Sequence, residues 1–222
     1  MPDESSRLGR LWRAPLTLPL LFLVAVLWVR VPVLLSHLDS WYPFEIHAGS
    51  IATALLDGLD LSWGPLTVVP HIRGGVLLGL ILVPAYALFG ISSLVFKATV
   101  LFWQGGTVAL MVYVLARFFS RRVAAVFGTL MLFAPPVTAK LSVLGLASHM
   151  ESPLFSLLAL LPFWAMTIEG RFSRWRWFGF GAAVGFAGFF HLQALLPSLL
   201  LLGLLVVMET RRFFTGGVIW LL

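Results

Sequence analysis

The sequence predicts an all-α fold, a polytopic transmembrane helix bundle with an outer-face loop that carries interfacial helices. Three observations carry that expectation. Of 222 residues, 60% are hydrophobic and only 11% charged, whereas soluble domains average roughly 25% charged residues. Mean hydropathy is +0.99, and apolar runs close to the roughly 20 residues of a membrane span recur along the chain. The basic residues sit in small clusters between those runs, which is a topology signal. A net charge of +6 therefore does not point to nucleic acid, because no basic face with interleaved aromatics is present. With no cysteine, disulfides, thiolate metal sites and a cysteine nucleophile are excluded.

Residues 1–15 form a polar, arginine-containing tail, and 16–222 form the membrane domain, with an outer loop at 37–75. The first apolar run, Leu16 to Leu35, is longer than a signal-peptide core and lacks a small-residue cleavage site, so it reads as a retained span. Further runs follow at Val76 to Phe89, Ala98 to Ala116, Val123 to Ala139, Pro153 to Ile168, Trp177 to Phe190 and Leu192 to Met208, and another begins at Val218. Val76 to Phe89 and Trp177 to Phe190 are short for spans. The second carries Gly179, Gly181, Gly185 and Gly188, a stripe that lets helices pack closely, and it ends near His191.

Charge decides the first. If Val76 to Phe89 does not cross, because of its length and its internal Pro84, then eleven basic residues fall inside: Arg7, Arg10, Arg13, Arg117, Arg121, Arg122, Arg171, Arg174, Arg176, Arg211 and Arg212. Four, Arg30, Arg73, Lys97 and Lys140, fall at or toward the outside. The N-terminus is then cytoplasmic. All five histidines share the outer side with Asp39, Glu45, Asp57, Asp60 and Glu151. Outer loops are polar in any membrane protein, but Glu151 and His149 stand in an otherwise small and apolar loop just before a span, where ionisable groups need partners or a wet cavity.

Within the outer loop, Ile51, Ala54, Leu55 and Leu59 recur at helical spacing opposite Ser50, Thr53, Asp57 and Asp60, the pattern of a surface-lying helix flanked by Trp41, Tyr42 and Trp63. Pro43 opens it and Gly58 ends it, which puts Glu45 in the first turn, where the helix dipole favours a carboxylate. His71, Arg73, Gly74 and Gly75 follow. A cation beside close-approach glycines suits a phosphate head group, and equally suits a side chain snorkelling to lipid phosphates.

The stretch FEIHAGSIATALLDG, residues 44–58, resembles the first-loop signature of GT-C type membrane glycosyltransferases, the protein O-mannosyltransferase and aminoarabinose-transferase relatives of glycosyltransferase family 39. Glu45, Ala52, Leu55, Leu56 and Gly58 keep the family spacing. HIRGGVLLGLILVPAYALFG and VYVLARFFSRRVAAVFGTLMLFAPP are similar to later family segments, and the resemblance runs from about Arg30 to Arg212.

The resemblance implies transfer of a sugar from a polyprenyl-phosphate donor to a lipid, glycan or protein acceptor at the outer face of a bacterial-type inner membrane. Such transfer needs a carboxylate base and a cation for the leaving phosphate. Glu45 is the implied base, with Asp39 as a second candidate, and His71 and Arg73 are the implied phosphate ligands. His149 and Glu151 complete the cavity, orienting the acceptor or, with His47, holding a divalent cation. No paired histidine spacing on one helix supports zinc.

The chain departs from the family where its first acid would fall, at Phe44, and it stops inside a further hydrophobic run. It is therefore expected to be an incomplete member, inactive by itself. The competing expectations are a transporter or lipid-handling subunit without enzymatic activity, and a family member that binds lipid phosphate without turnover.

Overall fold

The computed structural model describes residues 15–59, 70–146, 151–191 and 194–208. Among these the chain is all-helical, without strands, and forms two compact units. The first unit comprises residues 1–40 and 93–144, the second 41–92 and 145–222. Among the described residues two helices, both in the first unit, are long and apolar enough to cross a membrane.

In the first unit, α1 (Thr17–Ser36) is the expected first apolar run, 20 residues and so about 30 Å long. Its neighbour α4 (Ser93–Phe118) has 26 residues. The two run antiparallel. At one end, the Ser93 hydroxyl donates to the Leu38 carbonyl, and the buried Lys97 ammonium donates to the Ser40 carbonyl at 3.0 Å. A cation there complements the carbonyl-rich end of α1. At the other end, Pro15 and Leu18 share one recess with Tyr113, Ala116, Arg117 and Arg121. Between these ends, Leu23 and Leu27 press on Gly105, and Leu34 packs with Leu101 and Val143.

The run Val123 to Ala139, expected as one span, is broken. Helix α5 (Arg121–Leu132) has 12 residues, about 18 Å, and a separate six-residue helix α6 (Pro136–Leu141) follows. Pro135 and Pro136 cause the break: neither has an N–H to give the preceding turn, and each disfavours helical geometry in the residue before it. Pro136 then serves as the first residue of α6, where its missing N–H costs nothing.

Ser120 caps the start of α5 by accepting the Val123 N–H at 3.2 Å. Arg30, only 6% exposed, closes its far end, donating from Nη2 to the Met131 carbonyl at 2.9 Å. A helix terminus leaves such carbonyls without intrahelical donors, and a guanidinium suits their partial negative charge. The broken segment thus follows α1 from Leu18 past Arg30 to Leu34. Phe22 lies on Gly128, where a Cβ would stand 2.6 Å from the ring.

The second unit contains α2 (Pro43–Leu56), α3 (Pro70–Phe89), α7 (Pro153–Thr167), α8 (Arg174–Phe190) and α9 (Leu195–Met208). Helix α3 begins six residues before Val76 and reaches 20 residues, with Pro84 inside it. Its apolar part, Gly74–Phe89, remains short for a membrane span, as the sequence reading has it.

Helix α2 starts at Pro43, and Gly58, two residues past its last residue Leu56, takes φ +68° as a helix-terminating glycine does. Its buried face is Glu45, Ala48, Ile51 and Ala52, and not the expected Ile51, Ala54, Leu55, Leu59 stripe, since Leu59 is 60% exposed. The cause is α3, whose Gly75 and Gly79 let it approach closely: a Cβ on Gly79 would meet the Ala48 carbonyl oxygen at 2.9 Å.

Helices α7, α8 and α9 share a core of Ala159, Phe163, Met166, Trp177, Phe180, Ala183 and Leu205. The α8 glycine stripe is not the packing face. Gly179 and Gly185 have open space where a Cβ would be, and Gly188 alone of the three meets a neighbour, the Leu195 side chain. Large and small apolar residues interdigitate here instead.

Candidate functional site

Glu45 is a buried acid of the second unit. Tyr42 precedes α2 in extended conformation, so its N–H escapes the helix and donates to Glu45 Oε2 at 3.0 Å. The Glu45 N–H returns a bond to the Tyr42 carbonyl at 2.9 Å. The other oxygen, Oε1, accepts the Gly145 N–H at 2.9 Å, from a residue 100 positions later. The side chain is fully buried. The carboxylate thus fastens the start of α2 to the segment leading into α7, with charge-assisted hydrogen bonds on both oxygens. A base would have to turn one oxygen toward an acceptor hydroxyl.

Glu151, also fully buried, lies in the turn before α7 in the same unit. His47, one turn of α2 beyond Glu45's end of the helix, places its ring on Gly75 of α3, where a Cβ would stand 2.9 Å from Cδ2. Its Nε2 is buried without a hydrogen-bond partner among the described residues, and burial pushes the imidazole below the usual histidine range.

The other candidates divide. Asp39 is exposed in the turn after α1 and belongs to the first unit, whereas Glu45 belongs to the second. His71 and Arg73 stand in the opening turn of α3, with side chains outside the described residues. His149, Asp60 and Trp63 also lie outside them. Among the described residues no group of three His, Asp or Glu side chains is placed to hold a metal ion.

Two grooves open on this unit. One, of about 490 Å³, runs between α3 and α8 and is lined by Val76, Leu77, Leu80, Ala182, Gly185, Phe186 and Phe189. Its first lining residues come three and four positions after Arg73. The other, of about 400 Å³, lies between α2 and α3, with Trp41, Ser50, Thr53 and Tyr86 in its lining. Both volumes fall in the range of small-molecule sites.

Sequence reasoning passed over two participants. Gly145 contributes only a backbone N–H, which leaves no trace in residue identity. Tyr86 sits in an apolar run where a tyrosine resembles any other interfacial aromatic. No family model, curated protein or solved structure matches the chain.

Proposed function

We propose that the chain is a multi-pass membrane glycosyltransferase of the GT-C kind, with a cytoplasmic N-terminus, acting on a polyprenyl-phosphate sugar at the outer face of a bacterial-type inner membrane. The observation that carries this reading is the groove between α3 and α8, whose lining is wholly apolar and begins one turn after Arg73. An isoprenoid tail needs such a channel, and a phosphate needs a cation at its mouth. Arg73 and His71 take the phosphate in this reading. Glu45 holds the first loop against the segment leading to Glu151, and the resemblance also gives it the role of base, with Asp39 as the alternative.

A photoreactive prenyl-phosphate probe, applied to the protein in nanodiscs, tests the donor site. Crosslinks are expected in α3 near Val76 to Leu80 and in α8 near Ala182 to Phe189, with competition by an unlabelled prenyl-phosphate sugar. Crosslinks elsewhere, or none that compete, refute the donor site.

A second reading, a lipid-phosphate-binding protein without turnover, is favoured by the engagement of both Glu45 oxygens with backbone donors and by Phe44 in place of the family's acid. It predicts the same crosslinks with no release of sugar from a labelled donor in the presence of acceptor.

A further inference from the structure

The groove between α2 and α3 differs in chemistry from the donor groove, and we infer that it is a subsite for an uncharged sugar ring, the recognition element of the acceptor. This inference rests on the glycosyltransferase reading for the word acceptor, but the binding itself does not.

Three features define the occupant. First, the lining is Trp41, Ile46, Gly49, Ser50, Thr53, Tyr86 and Ile91, with no ionisable acid, base or histidine among them. A phosphorylated or acidic ligand would give up hydration there with nothing to balance its charge.

Second, aromatic and hydroxyl groups line the same space. Trp41 is 41% exposed at the start of α2 and offers a ring face for the C–H side of a pyranose. Ser50 and Thr53 lie on one face of α2, and the Thr53 hydroxyl donates to the Ser50 carbonyl at 3.0 Å, which leaves its lone pairs to accept. Gly49, next to Ser50 in the lining, allows close approach of a ligand to the helix.

Third, Tyr86 is only 4% exposed and lines the groove. A phenol in such a wall offers an occupant both its ring and its hydroxyl. A hydrocarbon chain engages only the ring; a sugar ring supplies both the apolar face and the hydroxyls.

The test is saturation-transfer NMR on the full chain in a phosphocholine detergent, which carries no sugar of its own. Methyl pyranosides are the neutral probes, and a sugar phosphate and a uronic acid are the charged ones. Saturation is expected on the ring C–H protons of a neutral pyranoside and not on the charged sugars. Tyr86→Phe removes one hydroxyl without changing shape and should weaken binding about three- to ten-fold, the range for one neutral hydrogen bond. Trp41→Ala, at an exposed position, should abolish the stacking signal while leaving the far-ultraviolet circular dichroism unchanged.

Equal saturation of charged and neutral sugars overturns the inference, as does binding that neither substitution alters, or no saturation of any pyranoside at tens of millimolar. Pyranoside binding without sugar transfer leaves the subsite standing and removes the enzymatic reading. Transfer without pyranoside binding does the reverse.

Discussion

Replacing Glu45 with Gln probes the joint that holds the second unit's polar segments together. The substitution keeps the shape but turns one acceptor oxygen into an NH₂ group that must face a backbone N–H, either that of Tyr42 or that of Gly145. One charge-assisted hydrogen bond is lost, worth about 1.5 to 3 kcal/mol, and the other is weakened by the loss of charge. Because the site is fully buried, water does not replace the lost acceptor. The expected destabilisation is therefore about 2 to 4 kcal/mol, well above the roughly 0.3 to 1 kcal/mol of a carboxylate that only favours a helix start. Asp39→Asn, at an exposed turn, serves as control and should stay within about 0.5 kcal/mol.

Denaturation in detergent measures the stability, and hydrogen exchange locates the loss. The amides of Tyr42 and Gly145 should exchange much faster in Glu45→Gln, and amides in the core of α7 to α9 should change less. A Glu45→Gln protein within about 0.5 kcal/mol of the parent, with the Gly145 amide still protected, would refute the clip. If Glu45 is also the base, donor turnover should fall beyond what the lost folded fraction explains.

Stability should fall on acidification through His47. Its folded pKa lies below its unfolded value of about 6.5, so the unfolded chain binds the proton first. The contribution of the neutral ring is present above about pH 6.5 and is lost as pH drops toward the folded value; melting curves of His47→Leu should show a shallower decline between pH 7 and 5.5, and an identical decline would exonerate the residue. Gly79→Ala should cost about 1 to 3 kcal/mol because its Cβ meets a backbone carbonyl that cannot step aside, whereas Gly179→Ala, pointing into open space, should be neutral or stabilising by up to about 1 kcal/mol. Equal effects at the two sites in thermal unfolding would contradict the packing of α2 on α3. The chain has no cysteine, so single cysteines report sidedness cleanly. One at Asp39 should react with an impermeant thiol reagent from outside, and one at Phe119, beside Arg117 and Arg121, should not; outside labelling at 119 would reverse the proposed orientation.

The sequence alone determined where most helices lie. The apolar run from Leu16 to Leu35 specifies α1, Pro43 and Gly58 bracket α2, and α8 stops before His191, because length, proline and glycine act locally. The break after α5 was also written locally, in Pro135 and Pro136, but a hydropathy count treats those residues as apolar and reads through them. Helix α3 extends through His71 and Arg73 because polar residues can enter a helix's first turns without adding to an apolar run.

What only the tertiary structure decided is which groups meet. The buried face of α2 follows the two glycines of α3 and not its own hydrophobic stripe, since close backbone approach rewards small residues at a contact. The end of α5 is closed by Arg30, far away in the chain. Glu45 changed most in meaning: residue type and position marked it as a helix-start acid or a base, while its partner is a backbone N–H 100 residues on, and a backbone group bears no side-chain identity by which a sequence could announce it.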